Sequence, residues 1–150
     1  MADSPQPDEI KNSFSYSVPL QVRFSGIDPY MHVNNGVYFN YFEHARALYL
    51  YEVCQWDFVA IGAVVANIHL DFFPTHSIFD KLEGLVRCAR LGTTSFNLEQ
   101  LLMASRKSGE EVVFARATIT MVTIDMKTMK PSPLPDDYGT KIPQQDGLVP

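Results

Sequence analysis

The stretch that decides the fold runs from Val22 to Arg46 and reads VRFSGIDPYMHVNNGVYFNYFEHAR. Its first half, Ser25 to Asn35, holds Gly26, Asp28, Pro29 and two asparagines. These residues break regular structure, so the segment reads as a loop. Its second half opens a helix predicted from near Asn35 to Val53. Tyr38, Tyr41, Phe42, Ala45, Leu48 and Tyr49 recur at steps of three and four, the spacing of one helix face. Gly36, Asn40, Glu43, His44 and Ala47 mark the other face. Asn34 or Asn35 suits the N-cap, because its side chain can accept from the orphan backbone N–H groups. At ~1.5 Å per residue the helix spans about 30 Å. Its apolar stripe is wide and aromatic, which calls for a sheet wrapped around it.

Working outward, Tyr16, Val18, Leu20, Val22 and Phe24 alternate with other residues and predict a strand over Ser15–Phe24. Beyond the helix, Ala66, Ile68, Leu70 and Phe72 alternate with Asn67, His69 and Asp71. Further strands are predicted over Lys81–Arg90, Phe96–Met103 and Val112–Ile124. Leu91-Gly92-Thr93-Thr94 and Lys107-Ser108-Gly109 mark the turns between them. One long helix and about five strands make an α+β layer structure, an antiparallel sheet packed on one helix. A long sheet has edges, and pairing between subunits is the expected cover, so a dimer or larger oligomer is predicted. Residues 1–14, polar and proline-containing, read as a flexible arm. The domain is predicted over 15–135. Prolines accumulate beyond Met126, and 136–150 reads as a tail with little regular structure.

The chain has 150 residues, of which 46% are hydrophobic and 19% charged. That is one domain's worth, with enough apolar material for a core. A net charge of −5 leaves no broad basic field to hold nucleic acid. The start MADSPQPDEIKNSF has neither the profile of a secretory signal nor that of a transit peptide. No apolar run approaches the ~18 residues of a membrane span. The expected location is the cytoplasm. Cys54 and Cys88 sit in apolar or strand-like surroundings and read as two buried, reduced thiols.

The chemistry concentrates in the quoted stretch. Asp28 is a carboxylate in a loop just before a helix N-terminus, and Asn35 stands at that terminus. Helix N-termini offer unpaired N–H groups and partial positive charge, a site for an oxyanion or polarised carbonyl. A carboxylate beside it can activate water or attack the carbonyl itself. His32 and Asn34 add polar contacts, and Tyr38 lies one turn into the helix. Taken singly, each has a plainer meaning: Asp-Pro is usually a turn, Asn-Asn a cap, a lone histidine a surface group and an aromatic stripe core. Only the ordered combination lifts them above it.

That combination resembles the signature of the 4-hydroxybenzoyl-CoA thioesterase-like branch of the hot-dog superfamily. Arg23, Phe24, Asp28, His32-Val33-Asn34-Asn35, Tyr38, Tyr41, Glu43 and Arg46 match it in identity and spacing. Ser95-Phe96, Ala115-Arg116-Ala117 and Lys130-Pro131 agree more loosely, so the resemblance covers roughly residues 16 to 135. It implies a hot-dog fold, a long central helix wrapped by a curved antiparallel five-stranded sheet. It implies hydrolysis of acyl-CoA thioesters without metal or organic cofactor, at sites lying on a dimer interface, with dimers joining into a homotetramer. By the same resemblance Asp28 is the catalytic carboxylate, and the backbone at Asn35 polarises the thioester carbonyl. His32 and Asn34 shape the loop or touch the thioester, and Tyr38 and Met31 line the substrate site. Arg46 and Glu43 are expected to pair along the helix.

The chain departs from the pattern at Gly26, where many members carry a second aspartate, and at Met31, where many carry glycine. Phe72-Phe73-Pro74-Thr75 also shifts a proline. Hydration or dehydration of an acyl thioester, and acyl-CoA binding without turnover, are the alternative functions within the same fold. Arg87, Arg90, Arg106 and Lys107 are the candidates for meeting the CoA phosphates.

Overall fold

A computed structural model describes residues 4–21, 35–73, 81–138 and 141–142. The elements are α1 (Pro7–Lys11), β1 (Tyr16–Leu20), α2 (Asn35–Glu52), β2 (Ile61–Phe72), β3 (Lys81–Leu91), β4 (Ser95–Ser105), β5 (Glu111–Asp125) and a two-residue β6 (Lys130–Pro131). The strands form one antiparallel sheet in the order β1-β3-β4-β5-β2, with β6 added to β5. The α+β arrangement read from the sequence is the one present, and β2 begins five residues before the alternation at Ala66.

The buried face of α2 is Tyr38, Tyr41, Phe42, Ala45, Arg46, Tyr49 and Leu50. This is the three-four rhythm that packs a helix on a sheet, except that Arg46 and Leu50 are buried and Leu48 is only partly so. The main core joins this face to Val18 of β1, Leu82, Val86 and Cys88 of β3, Leu98 and Leu102 of β4, and Ala117 and Ile119 of β5. Helix and sheet approach closely at Gly84 of β3, where a Cβ would stand 2.9 Å from the Ala45 methyl. The helix stops where Gln55 takes a positive φ of 50°. The main-chain N–H of Trp56 then donates back to the Leu50 carbonyl at 2.9 Å, satisfying an end carbonyl.

The stretch expected as a flexible arm carries α1 in its described part. Pro7 starts that helix, Asp8 and Glu9 occupy the first turn and Lys11 the last, each matched to the local dipole. Ile10 and Phe14 pack on a second apolar cluster, Phe73, Leu85, Leu101, Met103 and Val113, on the sheet face turned away from α2. Beyond residue 135, Tyr138 and Ile142 belong to the main core, so the packed unit extends past the expected boundary. Tyr138 stacks on Trp56 with centroids 4.6 Å apart. Among the described residues, no helix is long and apolar enough to cross a membrane.

Candidate active site

α2 opens at Asn35 and runs for 18 residues with no acidic side chain in its first turn. Its positive end is therefore not offset by its own residues. A helix N-terminus aims its first-turn N–H groups and a partial positive charge outward, so this terminus suits a carbonyl oxygen or an anion. One turn in, Tyr38 is buried and meets two phenylalanines edge-on. Phe72 stands at 4.9 Å and 90°, and Phe114 at 5.5 Å and 66°. Such T-shaped contacts set ring edges against ring faces and fix the rings in place. An aromatic wall thus stands directly below the helix terminus.

Phe72 ends β2, and Phe114 lies near the start of β5. The terminus of α2 therefore sits at the end of the sheet where β1, β2 and β4 finish and β3 and β5 begin. Residues 22–34 link β1 to α2, and residues 74–80 link β2 to β3, both from this end. At the same end of the sheet, along β1 and the start of β3, lies a separate cleft of about 540 Å³ whose described lining is Ser17, Pro19, Leu20, Lys81, Leu82, Glu83 and Ser105.

Of the residues singled out in the sequence, Asn35 and Tyr38 come together at this terminus. Asp28, Met31, His32 and Asn34 lie outside the described residues. The four basic candidates are scattered. Arg87 is on the outer face of the sheet, 2.5 Å from Glu99. Arg90 pairs with Asn97 at the far end of the sheet. Arg106 and Lys107 follow β4 at the α2 N-terminal end, roughly 30 Å from Arg90 at ~3.3 Å per strand residue. Arg106 is also held by Glu110 at 2.9 Å.

Arg46 differs from expectation. Its guanidinium donates to the side-chain oxygen of Gln100 at 3.4 Å, and the Gln100 amide donates to the Phe42 carbonyl at 2.9 Å. Burial pushes the Arg46 pKa down, and the charge of Glu43 acts against that shift. Glu43 itself lies on the exposed face of α2, so its influence is through the field. The sequence reading missed Gln100, although one signal was there: a lone polar residue between Leu98 and Leu102 on the helix-facing side of β4. It also missed the meeting of Phe72 and Phe114 with Tyr38.

One long helix on a single antiparallel sheet, with a polarising helix terminus above an aromatic wall, defines a hot-dog protein of the thioester-handling kind. Residues 22–142 match the model of the thioesterase-like superfamily, and the chain belongs to that family. It is 32% identical over 128 residues to the long-chain acyl-CoA thioesterase FadM of Escherichia coli, a match spanning 83% of this chain and 95% of that protein. Among solved structures it is similar to a thioesterase of Thermus thermophilus complexed with coenzyme A and zinc. That likeness has a TM-score of 0.74 and 30% identity, over 92% of this chain and 98% of the other. A 4-hydroxybenzoyl-CoA thioesterase complexed with 4-hydroxybenzoyl-CoA shares the fold at TM-score 0.75 and 18% identity, over 85% of this chain and 97% of the other.

Proposed function

We propose that the protein hydrolyses acyl-CoA thioesters to the free acid and CoA, with Asp28 as general base or nucleophile. The observation that carries this reading is the Asn35 terminus of α2 above the Tyr38–Phe72–Phe114 wall, at the end of the sheet from which the Asp28 segment departs. In the general-base form, Asp28 takes a proton from water as the water oxygen bonds to the thioester carbon. Backbone N–H groups at Asn35 hold the developing oxyanion. The C–S bond then breaks, and the proton passes to the departing CoA thiolate. In the nucleophilic form, Asp28 bonds to the same carbon, the C–S bond breaks with CoA leaving as its thiolate, and water then cleaves the mixed anhydride, freeing the acid and the Asp28 carboxylate while its proton passes to the thiolate. An ordinary aspartate is ionised at neutral pH, so neither form needs a raised pKa. His32 and Asn34 position the thioester, and Tyr38 and Met31 line the acyl group. The reading needs no metal or organic cofactor.

The assembly belongs to the same proposal. β2 is an edge strand, and Val64 and Val65 on it are 44% and 40% exposed. An uncovered apolar edge of this length invites pairing with a second copy, which gives a homodimer. Phe39 and Tyr51, exposed on the outer side of α2, support a second contact that joins dimers into a homotetramer. A cytoplasmic location goes with this reading, supported by Cys54 and Cys88, which are buried and not joined in a disulfide.

The test is free-thiol release from a panel of aryl, short and long acyl-CoAs, with Asp28→Asn alongside. Turnover that falls by roughly 10²–10⁴-fold in a folded Asp28→Asn protein supports the reading. No hydrolysis of any panel member by the wild type overturns it, and hydrolysis that survives Asp28→Asn overturns the role of Asp28.

A further inference from the structure

The helix-facing row of β4 runs Phe96, Leu98, Gln100, Leu102 and Ala104, and all five side chains are buried. Gln100 alone among them is polar. It stands in the third of the five strands β1-β3-β4-β5-β2, opposite Val86 of β3 and Ala117 of β5, both 0% exposed. A leucine would suit so enclosed an apolar position, and a buried polar group is rarely the most stabilising choice for a core. Residues that break the local rule in this way gather where function needs a fixed geometry.

The Gln100 amide donates to the Phe42 carbonyl at 2.9 Å, and its oxygen accepts from Arg46 at 3.4 Å. The Phe42 carbonyl lies inside α2. The helical ladder uses one of its lone pairs, and the glutamine takes the other without breaking a helical bond. Apolar packing holds α2 close to the sheet but is non-directional. It resists a small slide along the helix axis less sharply than a hydrogen bond, which has a preferred distance and angle. Phe42 is seven residues from Asn35, about 10 Å at ~1.5 Å per residue. A stiff helix carries a displacement at Phe42 on to its terminus. Tyr38 lies between the two and meets Phe72 and Phe114.

We infer that Gln100 is a positioning residue for thioester hydrolysis: it fixes α2 along its axis against the central strand, and so sets where the Asn35 N–H groups stand relative to the Tyr38–Phe72–Phe114 wall. The inference rests on the thioesterase reading above. Donors serve a developing oxyanion only within roughly 2.7–3.1 Å of it. A misplacement of about 1 Å, caused by a change far from the chemistry, can cost ~10²-fold in rate. Binding of the CoA and acyl portions does not pass through this contact, so the loss falls on kcat and leaves KM nearly unchanged. Arg46 meets the other end of the amide. When the arginine is gone, the Phe42 carbonyl still accepts the glutamine N–H.

The test is steady-state free-thiol release from the acyl-CoA that the wild type turns over fastest, with Arg46→Met and Gln100→Leu/Arg46→Met alongside, well below their unfolding temperatures. The double variant removes the Phe42 contact without leaving a buried charge behind. Its kcat is expected to fall roughly 10–100-fold with KM within about threefold of wild type and a native far-UV circular dichroism spectrum. Arg46→Met keeps the Phe42 contact and should hold kcat within about threefold of wild type. A folded double variant with wild-type kcat overturns the inference, as does an equal fall in Arg46→Met or a loss confined to KM. A wild type that hydrolyses no acyl-CoA overturns the thioesterase reading itself, a result distinct from any of these. Should the double variant fail to fold, Gln100→Glu takes its place and is judged by the same results: its carboxylate accepts from Arg46 but has no N–H for the Phe42 carbonyl.

Discussion

Gln100 in the middle of β4 donates a 2.9 Å hydrogen bond to the main-chain carbonyl of Phe42 in α2, and the same side chain accepts from Arg46. Gln100 is fully buried and Arg46 nearly so. A glutamine can do both at once because its amide carries a donor and an acceptor. It thereby pins the central helix to the central strand and gives a buried cation its acceptor.

Gln100→Leu is expected to cost about 2–4 kcal/mol, since it leaves the Arg46 charge in apolar surroundings with its glutamine acceptor removed. Replacing the arginine as well should recover most of that loss. A buried charge exchanged for an apolar side chain of similar length is often neutral, so Gln100→Leu/Arg46→Met should be more stable than Gln100→Leu alone. Urea unfolding of the four members of this cycle measures the coupling. A strictly additive cycle would show that the two side chains do not act together.

Gly84 faces the same helix from β3. A Cβ at this position would stand 2.9 Å from the Ala45 methyl and 3.3 Å from the Leu20 side chain. One neighbour is a short side chain fixed on a helix, so little can give. Gly84→Ala is expected to cost roughly 1–3 kcal/mol by overpacking. Ala45→Gly in the same chain should recover part of it, and thermal unfolding of the single and double variants checks both.

Much of this architecture was legible because it is local. Asn35 and Tyr38 are three residues apart, and their placement at one helix terminus follows from helix geometry alone. Phe72 and Phe114 meet Tyr38 only through the β2–β5 pairing, in which Phe72 stands opposite Ala115, and no local pattern carries that register. Arg46 was expected to pair with Glu43 along the helix surface, but its long stem buries while its head finds Gln100 on the facing strand. The first residues of β2, Ile61 to Val65, form an unbroken small and apolar run containing Gly62, which lacks the alternation that marks a strand. α1 carried its signals in Pro7, Asp8, Glu9 and Lys11, but five residues are too few to show a period. Tyr138 and Ile142 are isolated apolar residues in a proline-rich stretch, and only the tertiary contact with Trp56 reveals their role.

That contact is testable through the chain's single tryptophan. Tyr138 stacks on Trp56 at 4.6 Å and 23°, and its hydroxyl accepts from the Asp57 N–H at 2.8 Å. Trp56 is itself buried against Phe96. Tyr138→Ala removes a buried ring and a hydrogen bond and is expected to cost about 3 kcal/mol. The Trp56 emission should shift to the red, because water reaches the indole face that Tyr138 covers. Tyr138→Phe should keep the wild-type emission and lose only about 1 kcal/mol. An unshifted spectrum in Tyr138→Ala would mean that the segment beyond residue 135 does not cover the indole.

The seating of the α1 segment on the sheet, where Lys11 meets Glu83 and Glu111, should depend on pH through Lys11. Hydrogen bonds to Glu111 first and to Glu83 second hold its pKa above the ordinary lysine value of 10.5, against the effect of partial burial. The folded protein therefore binds this proton more tightly than the unfolded chain does. The contribution to stability is fully present below 10.5 and is lost as pH rises through the elevated folded value. The ammonium is more than a third exposed, so the effect is modest and weakens with salt. Urea unfolding of wild type and Lys11→Met from about pH 7 to about pH 11.5 reads it. The stability gap between the two should stay level up to the ordinary lysine range of roughly 10.4 and shrink above it. Lys11→Arg, whose guanidinium stays charged throughout, should hold its gap over Lys11→Met across the same range. A gap that shrinks equally in Lys11→Arg would assign the loss to other groups.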